Sequence, residues 1–295
     1  MREFQRGTWI AIASLAAALA ACGARPQAAP AADPVRIVAM APSLTETLLA
    51  LDLGDRVVGT TRYCPPVPGA VSIGGYFDPS YEAILALEPD LVIVMQSHDE
   101  LNRRLGDLGL STLRVDQHDV EGILTSIEVI AERCGVRRRG LDLASSLRAE
   151  LEDIAARVAD RERPTTLVVV GRQPGGGGIG SLWAAAGDTF YDDVLDFAGG
   201  VNAIVDGGIR YPEFSREGLL AVDPDVILDV IADGGVRDVT AAEAAADWNA
   251  VSDLRAVREG RVHILLDDFV VIPGPRIVET VKTVAGLLHP EVERP

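Results

Sequence analysis

The sequence predicts an α/β protein made of two similar lobes joined by one long helix. Three observations predict this fold: strand-like and helical segments alternate, one strand–helix unit is repeated, and one long helical segment carries no strand signal. The 295 residues leave room for about two domains of roughly 150 residues each. An apolar content of 48% excludes a disordered chain, and a net charge of −17 opposes nucleic-acid binding.

The first 34 residues predict an export signal and a tether. A basic start is followed by an apolar stretch at residues 9–21, which is typical of a signal peptide and too short to span a bilayer. The stretch ends in Leu19-Ala20-Ala21-Cys22, which resembles the bacterial lipobox, in which the cysteine is lipidated. We therefore expect a lipoprotein signal peptide at residues 1–21, lipidation of Cys22, and a flexible Ala- and Pro-rich tether at residues 22–34.

Short apolar runs after the tether predict the strands, with helical patterns between them. The predicted strands are residues 36–40, 57–59, 91–95, 113–116, 167–170, 226–230 and 262–266. Ser43 and Glu46 predict a capping box at the start of the first helix. The regular alternation of strand and helix favours parallel sheets.

An internal repeat predicts that the two lobes are alike. Residues 82–93 (EAILALEPDLVI) match residues 217–228 (EGLLAVDPDVIL) at five of twelve positions, and each copy predicts a short helix, a Pro-Asp turn and a buried strand. A predicted strand precedes each copy and another follows it. We therefore assign residues 35–136 to an N-terminal lobe and residues 164–295 to a C-terminal lobe.

Residues 137–163 predict the helix between the lobes. Apolar residues recur at helical spacing from Leu147 to Val158 on a charged background, and Pro164 ends the pattern. A single helix between two lobes restricts how far they can move, so we expect the lobes to close by small amounts.

Loops at the carboxyl ends of the predicted strands hold half of the aromatic residues. Ligands of open α/β sheets bind beyond these strand ends. The residues there are Tyr63, Tyr76, Phe77, Trp183, Tyr211, Phe214 and Phe269. Flat rings with polar tips suit a bulky planar ligand, although each ring could instead fill the core of its own lobe.

No motif predicts catalysis. The glycines at 175–178 fit neither a P-loop nor a dinucleotide fingerprint, and indicate a flexible rim. The sequence assembles no Ser-His-Asp set and no spaced metal ligands, so we expect neither an enzyme, a catalytic cofactor nor a metal site. One alternative is an exported metalloenzyme that uses His98, His118 and Asp116, since these residues follow strand ends.

The repeat also places two carboxylates at equivalent positions. Glu82 and Glu217 each begin a predicted short helix, where the helix dipole favours negative charge. Together they would present one charge on each lobe, which suits docking to a two-fold partner with paired arginines. Cys64 and Cys134 leave open a disulfide or two thiols, and a buried thiol is the simpler account of Cys134 in its helical stretch.

From residue 35 onward, the chain resembles the periplasmic binding proteins that serve bacterial ABC importers of vitamin B12, haem and ferric siderophores. The segments that carry the resemblance are RIVAMAPSLTE (36–46), DRVVG (55–59), the first repeat copy (82–93), AGGVN (198–202) and YPEFSRE (211–217). The resemblance implies the class III architecture, in which one helix joins two α/β lobes.

Within that family the chain is most similar to the vitamin B12 receptors. This similarity implies that the ligand-binding residues are Pro42, Tyr63, Tyr76, Trp183, Tyr211, Asp268 and Phe269, and that Glu82 and Glu217 dock the permease. The chain has tyrosines at 76 and 211, where these receptors have tryptophans, and Ile272 where they have a cleft arginine. Arg172, Arg210 and Arg276 could instead meet the carboxylates of a siderophore or of haem.

The expected function is therefore that of a lipid-anchored receptor that binds a corrinoid and delivers it to an ABC permease dimer with its ATPase subunits. We expect a monomer in the periplasm or at the outer face of the cell membrane, held to the membrane by its lipid alone. The alternatives are a receptor for haem, a ferric siderophore or a metal ion, the exported metalloenzyme, and a sensor without a permease.

Overall fold

The computed structural model describes residues 33–205, 208–231 and 239–291, and from Pro34 onward they belong to one compact unit. Two sheets covered by helices form two lobes, with one long helix between them in the chain. This confirms the predicted two-lobe α/β fold. The predicted signal peptide, Cys22 and nearly all of the tether lie outside the described residues.

The N-lobe is built on a five-stranded parallel sheet. Its strands are β1 (Ile37–Ala39), β2 (Val57–Thr60), β3 (Val71–Ser72), β4 (Leu91–Met95) and β5 (Thr112–Val115), in the order β3-β2-β1-β4-β5. Its helices are α1 (Pro42–Ala50), α2 (Tyr81–Ala86), α3 (Asp99–Asp107) and α4 (Val120–Arg133). The central strands β1 and β4 read as continuous apolar runs because helices cover both faces of the sheet.

The C-lobe has a six-stranded mixed sheet. Its strands are β6 (Thr165–Gly171), β7 (Leu182–Ala184), β8 (Val201–Asn202), β9 (Glu213–Phe214), β10 (Val226–Val230) and β11 (Val262–Leu265). Its helices are α6 (Phe190–Phe197), α7 (Arg216–Val222), α8 (Ala241–Asp247), α9 (Arg255–Arg258) and α10 (Ile277–Leu288). The main path runs β11-β10-β6-β7-β9, and β8 pairs with β6.

The parallel construction that the sequence favours extends to β6, β8, β10 and β11 of the C-lobe but not to one edge of its sheet. Strand β7 pairs antiparallel with both β6 and β9. A loop without a helix connects β6 to β7, and such a connection returns the chain antiparallel because a parallel neighbour needs a crossover. Trp183 consequently lies on a strand and not on a loop.

The long helix α5 (Arg137–Val158) has 22 residues. It ends at Val158, earlier than the predicted end at residue 163. The apolar stripe that α5 buries stops at Val158, and residues 159–163 are all exposed, so nothing packs against a longer helix.

The internal repeat is confirmed by strand register. In the N-lobe, Ile37 of β1 pairs with Leu91 of β4, and in the C-lobe Thr166 of β6 pairs with Val226 of β10. Leu91 and Val226 are equivalent positions of the two repeat copies. The third strands, β5 and β11, add to β4 and β10 in the same parallel arrangement.

The aspartates of the two Pro-Asp turns make similar contacts. Asp90 Oδ2 accepts hydrogen bonds from the amides of Val35 and Arg36, at 3.0 and 2.9 Å. Asp225 Oδ2 accepts hydrogen bonds from the amide and the hydroxyl of Thr165, at 2.9 and 2.7 Å. Asp90 therefore fixes the start of β1, and Asp225 fixes the start of β6.

The predicted capping box at Ser43 and Glu46 is wrong. Helix α1 begins at Pro42, with Ala41 as its N-cap, so Ser43 lies inside the helix. Proline favours the first helical position because it lacks an amide hydrogen and its φ is already helical. The Ser43 hydroxyl instead donates to Gln117 Oε1 at 2.6 Å.

Cys134 is buried directly after α4, as expected of a small apolar residue there. Among the described residues, no disulfide joins Cys64 to Cys134, and the Cys64 thiol lies 3.1 Å from the Thr61 hydroxyl. No helix in the described ranges is long and apolar enough to cross a bilayer.

Candidate functional site

Loops at the carboxyl ends of strands in one lobe contact the other lobe, and we call the space between these facing loops the cleft. The Arg276 guanidinium of the C-lobe pairs with the Glu46 carboxylate of the N-lobe, with Nε 3.2 Å from Oε2. Asp193 at the start of α6 accepts a 2.7 Å hydrogen bond from the Val120 amide at the start of α4. Burial raises the pKa of Asp193, although that hydrogen bond opposes the shift.

Pro42 lies beside a contact between the two lobes. It is the first residue of α1 and is partly exposed. A Cβ atom added to Gly274 would lie 3.4 Å from the Cα atom of the next residue, Ser43. The start of α1 is therefore in contact with the C-lobe loop that leads to Arg276.

Tyr63 lies on the N-lobe loop after β2. Its side chain is 55% exposed, and the Arg62 guanidinium lies 5.6 Å from its ring centroid. Arg62 also forms an ion pair with Asp78 of the loop after β3. Gly75 allows this pairing, since a Cβ atom there would clash with both charged side chains. The ion pair thus holds together the two loops that carry Tyr63 and Tyr76.

Tyr76 lies against two other rings in the N-lobe. The His98 ring stacks on it, with centroids 5.1 Å apart and planes at 26°, and Phe77 meets it edge-on at 4.9 Å and 89°. His98 comes from the loop after β4, while Tyr76 and Phe77 come from the loop after β3. Burial raises the pKa of Tyr76, although a hydrogen bond with Ser97 opposes the shift.

The C-lobe contributes Trp183 and Tyr211. Trp183 on β7 pairs with Gly171 at the carboxyl end of β6 and is 44% exposed. Tyr211 precedes β9 and is 43% exposed. Burial raises the pKa of Tyr211, although the charge of Arg210 opposes the shift. Both rings leave a large flat surface uncovered.

Asp268 and Phe269 lie in a turn after β11. Arg276 Nη1 donates to Asp268 Oδ1 at 2.8 Å, and its guanidinium carbon lies 5.9 Å from the Phe269 ring centroid. The hydrogen bond from Arg276 lowers the pKa of Asp268. Arg276 therefore connects a predicted ligand residue to Glu46 in the other lobe. Ile272, which stands at the expected arginine position, is buried.

The three arginines that could have met ligand carboxylates are all paired within the protein. Arg276 pairs with Glu46 and Asp268, and Arg210 pairs with Asp188 at 2.8 Å. Arg172 is only 3% exposed. The buried Arg172 is therefore not available to a ligand, whereas Arg210 and Arg276 remain partly exposed and would have to exchange a protein carboxylate for a carboxylate of the ligand.

Arg172 is the centre of a buried ion network that sequence reasoning missed. Its guanidinium donates to Asp229 Oδ2 at 2.7 Å and to Asp247 Oδ2 at 2.8 Å. Asp247 also accepts hydrogen bonds from the amides of Gly175 and Gly177, at 2.7 and 2.8 Å. The glycine-rich segment is therefore tied to α8, and the expectation of a flexible rim is wrong. A signal existed, since Asp229 interrupts the apolar strand β10.

Glu82 and Glu217 are exposed at the starts of α2 and α7. Each helix is capped by a serine one residue before its start: Ser80 accepts from the Ala83 amide, and Ser215 from the Gly218 amide. Hydrogen bonds from its own amide and from the Ser215 hydroxyl lower the pKa of Glu217. The two carboxylates therefore occupy matching positions on the two lobes.

The three residues of the metalloenzyme hypothesis do not come together as a metal site. His118 lies at the junction of the lobes, with Nδ1 3.0 Å from Asp116 Oδ1 and Nε2 3.6 Å from Asp188 Oδ1. His98 lies with the aromatic rings instead. Within the described ranges, no group of three or more His, Cys, Asp or Glu residues could hold a metal ion.

Comparison with known proteins gives consistent matches over most of the chain. A family model described as "Periplasmic binding protein" matches residues 37–268. An ABC transporter substrate-binding lipoprotein of Bacillus subtilis is 28% identical over 88% of this chain and 81% of its own length. A cobalamin-binding protein of Halobacterium salinarum is 27% identical over 87% of this chain and 70% of its own length.

Solved structures of similar proteins share the fold. A periplasmic vitamin B12-binding protein of Vibrio cholerae superposes with a TM-score of 0.73 at 23% identity, over 89% of this chain and 99% of that one. A periplasmic haem-binding protein of Roseiflexus superposes with a TM-score of 0.72 at 25% identity, over 88% of this chain and 99% of that one.

Proposed function

The chain belongs to the periplasmic binding protein family and is a substrate-binding protein of the ABC-importer type, and on that premise we propose that its cargo is a corrinoid such as vitamin B12. The binding site is the cleft. The protein captures the metal chelate between its lobes and presents it to the permease without altering it.

The observation that carries this proposal is the partial exposure of rings from both lobes. Tyr63 and Tyr76 come from N-lobe loops, and Trp183 and Tyr211 come from the C-lobe sheet and the loop beside it. Aromatic side chains give a large contact area at a small cost in side-chain entropy, so rings on two sides suit a bulky flat ligand.

Three other residues complete the proposed contact set. Pro42 offers an apolar surface where the start of α1 meets a C-lobe loop. Phe269 adds a ring beside Arg276, and the exposed Asp268 carboxylate supplies an acceptor for amide groups of the ligand's rim. The relatives named for cobalamin or vitamin B12 support this choice of ligand.

The proposed partner is a permease dimer with its ATPase subunits. Glu82 and Glu217 stand exposed at matching positions of the repeat. One carboxylate on each lobe fits a two-fold partner that presents paired cations. The protein acts as a monomer in this proposal.

Export and anchoring form part of the same proposal. Residues 1–21 direct export, Cys22 carries the lipid, and residues 22–34 connect it to lobes at residues 35–136 and 164–295, with the helix between them. The lipid is the only contact with the membrane. The Bacillus subtilis relative is itself named a lipoprotein, which supports an anchored receptor outside the cell membrane.

Haem is the second candidate ligand, and the haem-binding relative of known structure favours it. Ferric siderophores and bare metal ions are further alternatives within the same class. The pairing of Arg172, Arg210 and Arg276 with protein carboxylates favours the corrinoid, because no unpaired guanidinium among these three awaits an anionic ligand.

Calorimetric titration of the purified protein with cyanocobalamin, haemin and ferric catecholate tests the proposal. We expect saturable binding of cyanocobalamin at one site per chain. Binding of haemin alone would transfer the proposal to haem, and turnover with a tightly retained metal would favour the metalloenzyme. Failure to bind any of the three probes would contradict the proposed function.

A further inference from the structure

The ring cluster formed by Tyr76, Phe77 and His98 extends the aromatic surface of the N-lobe beyond the residues assigned above. Phe77 is 84% exposed, which makes it one of the most exposed large apolar side chains in the described residues. Its ring is held edge-on against Tyr76 and lies 5.9 Å from the His98 ring. An exposed apolar ring fixed by two neighbours is preorganised to contact a ligand.

His98 stacks on Tyr76 and adds a third ring to the cluster. It comes from the loop after β4, and β3 and β4 are not neighbours in the sheet. The rings meet because parallel strands deliver their following loops to the same edge of a sheet. The stack therefore joins two separate loops into one wall.

The surroundings of His98 bear on whether its imidazole coordinates a metal or stacks on a ring. Its Nδ1 atom is buried and has no hydrogen-bond partner among the described residues. A histidine that ligates a metal donates its second ring N–H to a carboxylate, a carbonyl or water, which fixes the ring and raises its basicity. No carboxylate or carbonyl of the described residues takes that place at His98, whereas the face of its ring already stacks on Tyr76 at 26°, so the geometry favours a ring that stacks.

His118 is not a second candidate for stacking on these rings. Its Nε2 atom lies 3.1 Å from Asp119 Oδ2 and 3.6 Å from Asp188 Oδ1, and its Nδ1 atom lies 3.0 Å from Asp116 Oδ1. These three carboxylates surround the imidazole from both lobes. His118 therefore lies among carboxylates at the lobe junction.

We propose that Phe77 and His98 are further ligand-contacting residues of the cleft, and that His98 acts by stacking its ring and not by binding the metal of the chelate. This inference rests on the proposed function. It implies that the metal of a bound corrinoid or haem keeps the axial ligands that it brings, at least on the N-lobe side.

Four proteins test this inference: wild type, Phe77→Ala, His98→Ala and His98→Phe, each titrated calorimetrically with cyanocobalamin and with haemin. We expect Phe77→Ala and His98→Ala to bind about tenfold more weakly than wild type, since each loses a ring contact. His98→Phe keeps a ring and should bind within about twofold of wild type. The visible spectrum of each bound probe should be the same in wild type and in His98→Phe.

Two results would overturn this inference and leave the proposed function standing. One is unchanged affinity in both alanine variants. The other is a weakened His98→Phe together with a changed spectrum of the bound probe, which would assign coordination to His98. Phe77→Ala removes an exposed side chain and keeps the fold, so it decides the contact role even if His98→Ala fails to fold. If wild type binds neither probe while remaining folded, the proposed function fails first and this inference falls with it.

Discussion

Cells that carry the double variant Glu82→Ala, Glu217→Ala are expected to lose uptake of the ligand, while the purified variant binds the ligand as wild type does. Both carboxylates are exposed, and each lies at the start of a capped helix on a different lobe. Paired charges on a rigid frame fix the orientation of docking, so removing both leaves the permease without either anchor. Uptake of labelled vitamin B12 and calorimetry measure the two effects separately.

A matched control removes the same charge elsewhere. Glu152 on α5 and Glu259 after α9 are also exposed, so the double variant Glu152→Ala, Glu259→Ala changes the net charge equally. We expect this control to transport normally. Normal uptake in Glu82→Ala, Glu217→Ala would remove both residues from the proposed docking surface, and a parallel loss of ligand affinity would place them in the binding site instead.

The second large effect concerns the buried network of the C-lobe. Arg172→Met should lower the free energy of unfolding by about 3–5 kcal/mol, because it leaves Asp229 and Asp247 buried without their cation. Trp248 would also lose the guanidinium that lies 5.7 Å from its ring centroid. Chemical denaturation followed by circular dichroism measures the change.

Arg148→Met is the matched control for Arg172→Met. Arg148 forms a surface ion pair with Glu121, and exposed pairs contribute about 0–1 kcal/mol. The same substitution should therefore have a small effect on α5 and a large one in the network. Equal stability of the two variants would show that the Arg172 network is not a main support of the C-lobe.

The elements that sequence reasoning predicted correctly depend on local signals. The repeat copies predicted two equivalent strands, β4 and β10, because a short helix, a Pro-Asp turn and an apolar run stand next to one another in the chain. The long helix was visible from its apolar spacing. Its end was not, because the sequence after Val158 contains no strong stop before Pro164.

The errors come from features that depend on distant partners. Strands β7 and β9 have three and two residues, too few to show a period, so the antiparallel part of the C-lobe went unpredicted. Arg172 and Asp229 are far apart in sequence, and only the fold shows that they pair. Ser43 was assigned to a cap because the sequence shows suitable residue types, whereas the start of α1 is decided by Pro42.

The same distinction between local signals and distant partners applies to the candidate site. Placement of the aromatic residues near strand ends was predictable, since parallel strands bring the loops that follow them to the same edge of the sheet. The stack of His98 on Tyr76 and the tie from Arg276 to Glu46 were not, because both depend on the conformations of loops that meet in space.

The central claim is that rings from both lobes grip one ligand, and the most direct measurement is the affinity for cyanocobalamin of Tyr76→Ala, Trp183→Ala and their combination. Each ring lies on a different lobe, so the account predicts that each single change weakens binding at least about tenfold and that the double variant binds more weakly than either. An affinity that depends on the ring of one lobe alone, or on neither ring, would contradict it.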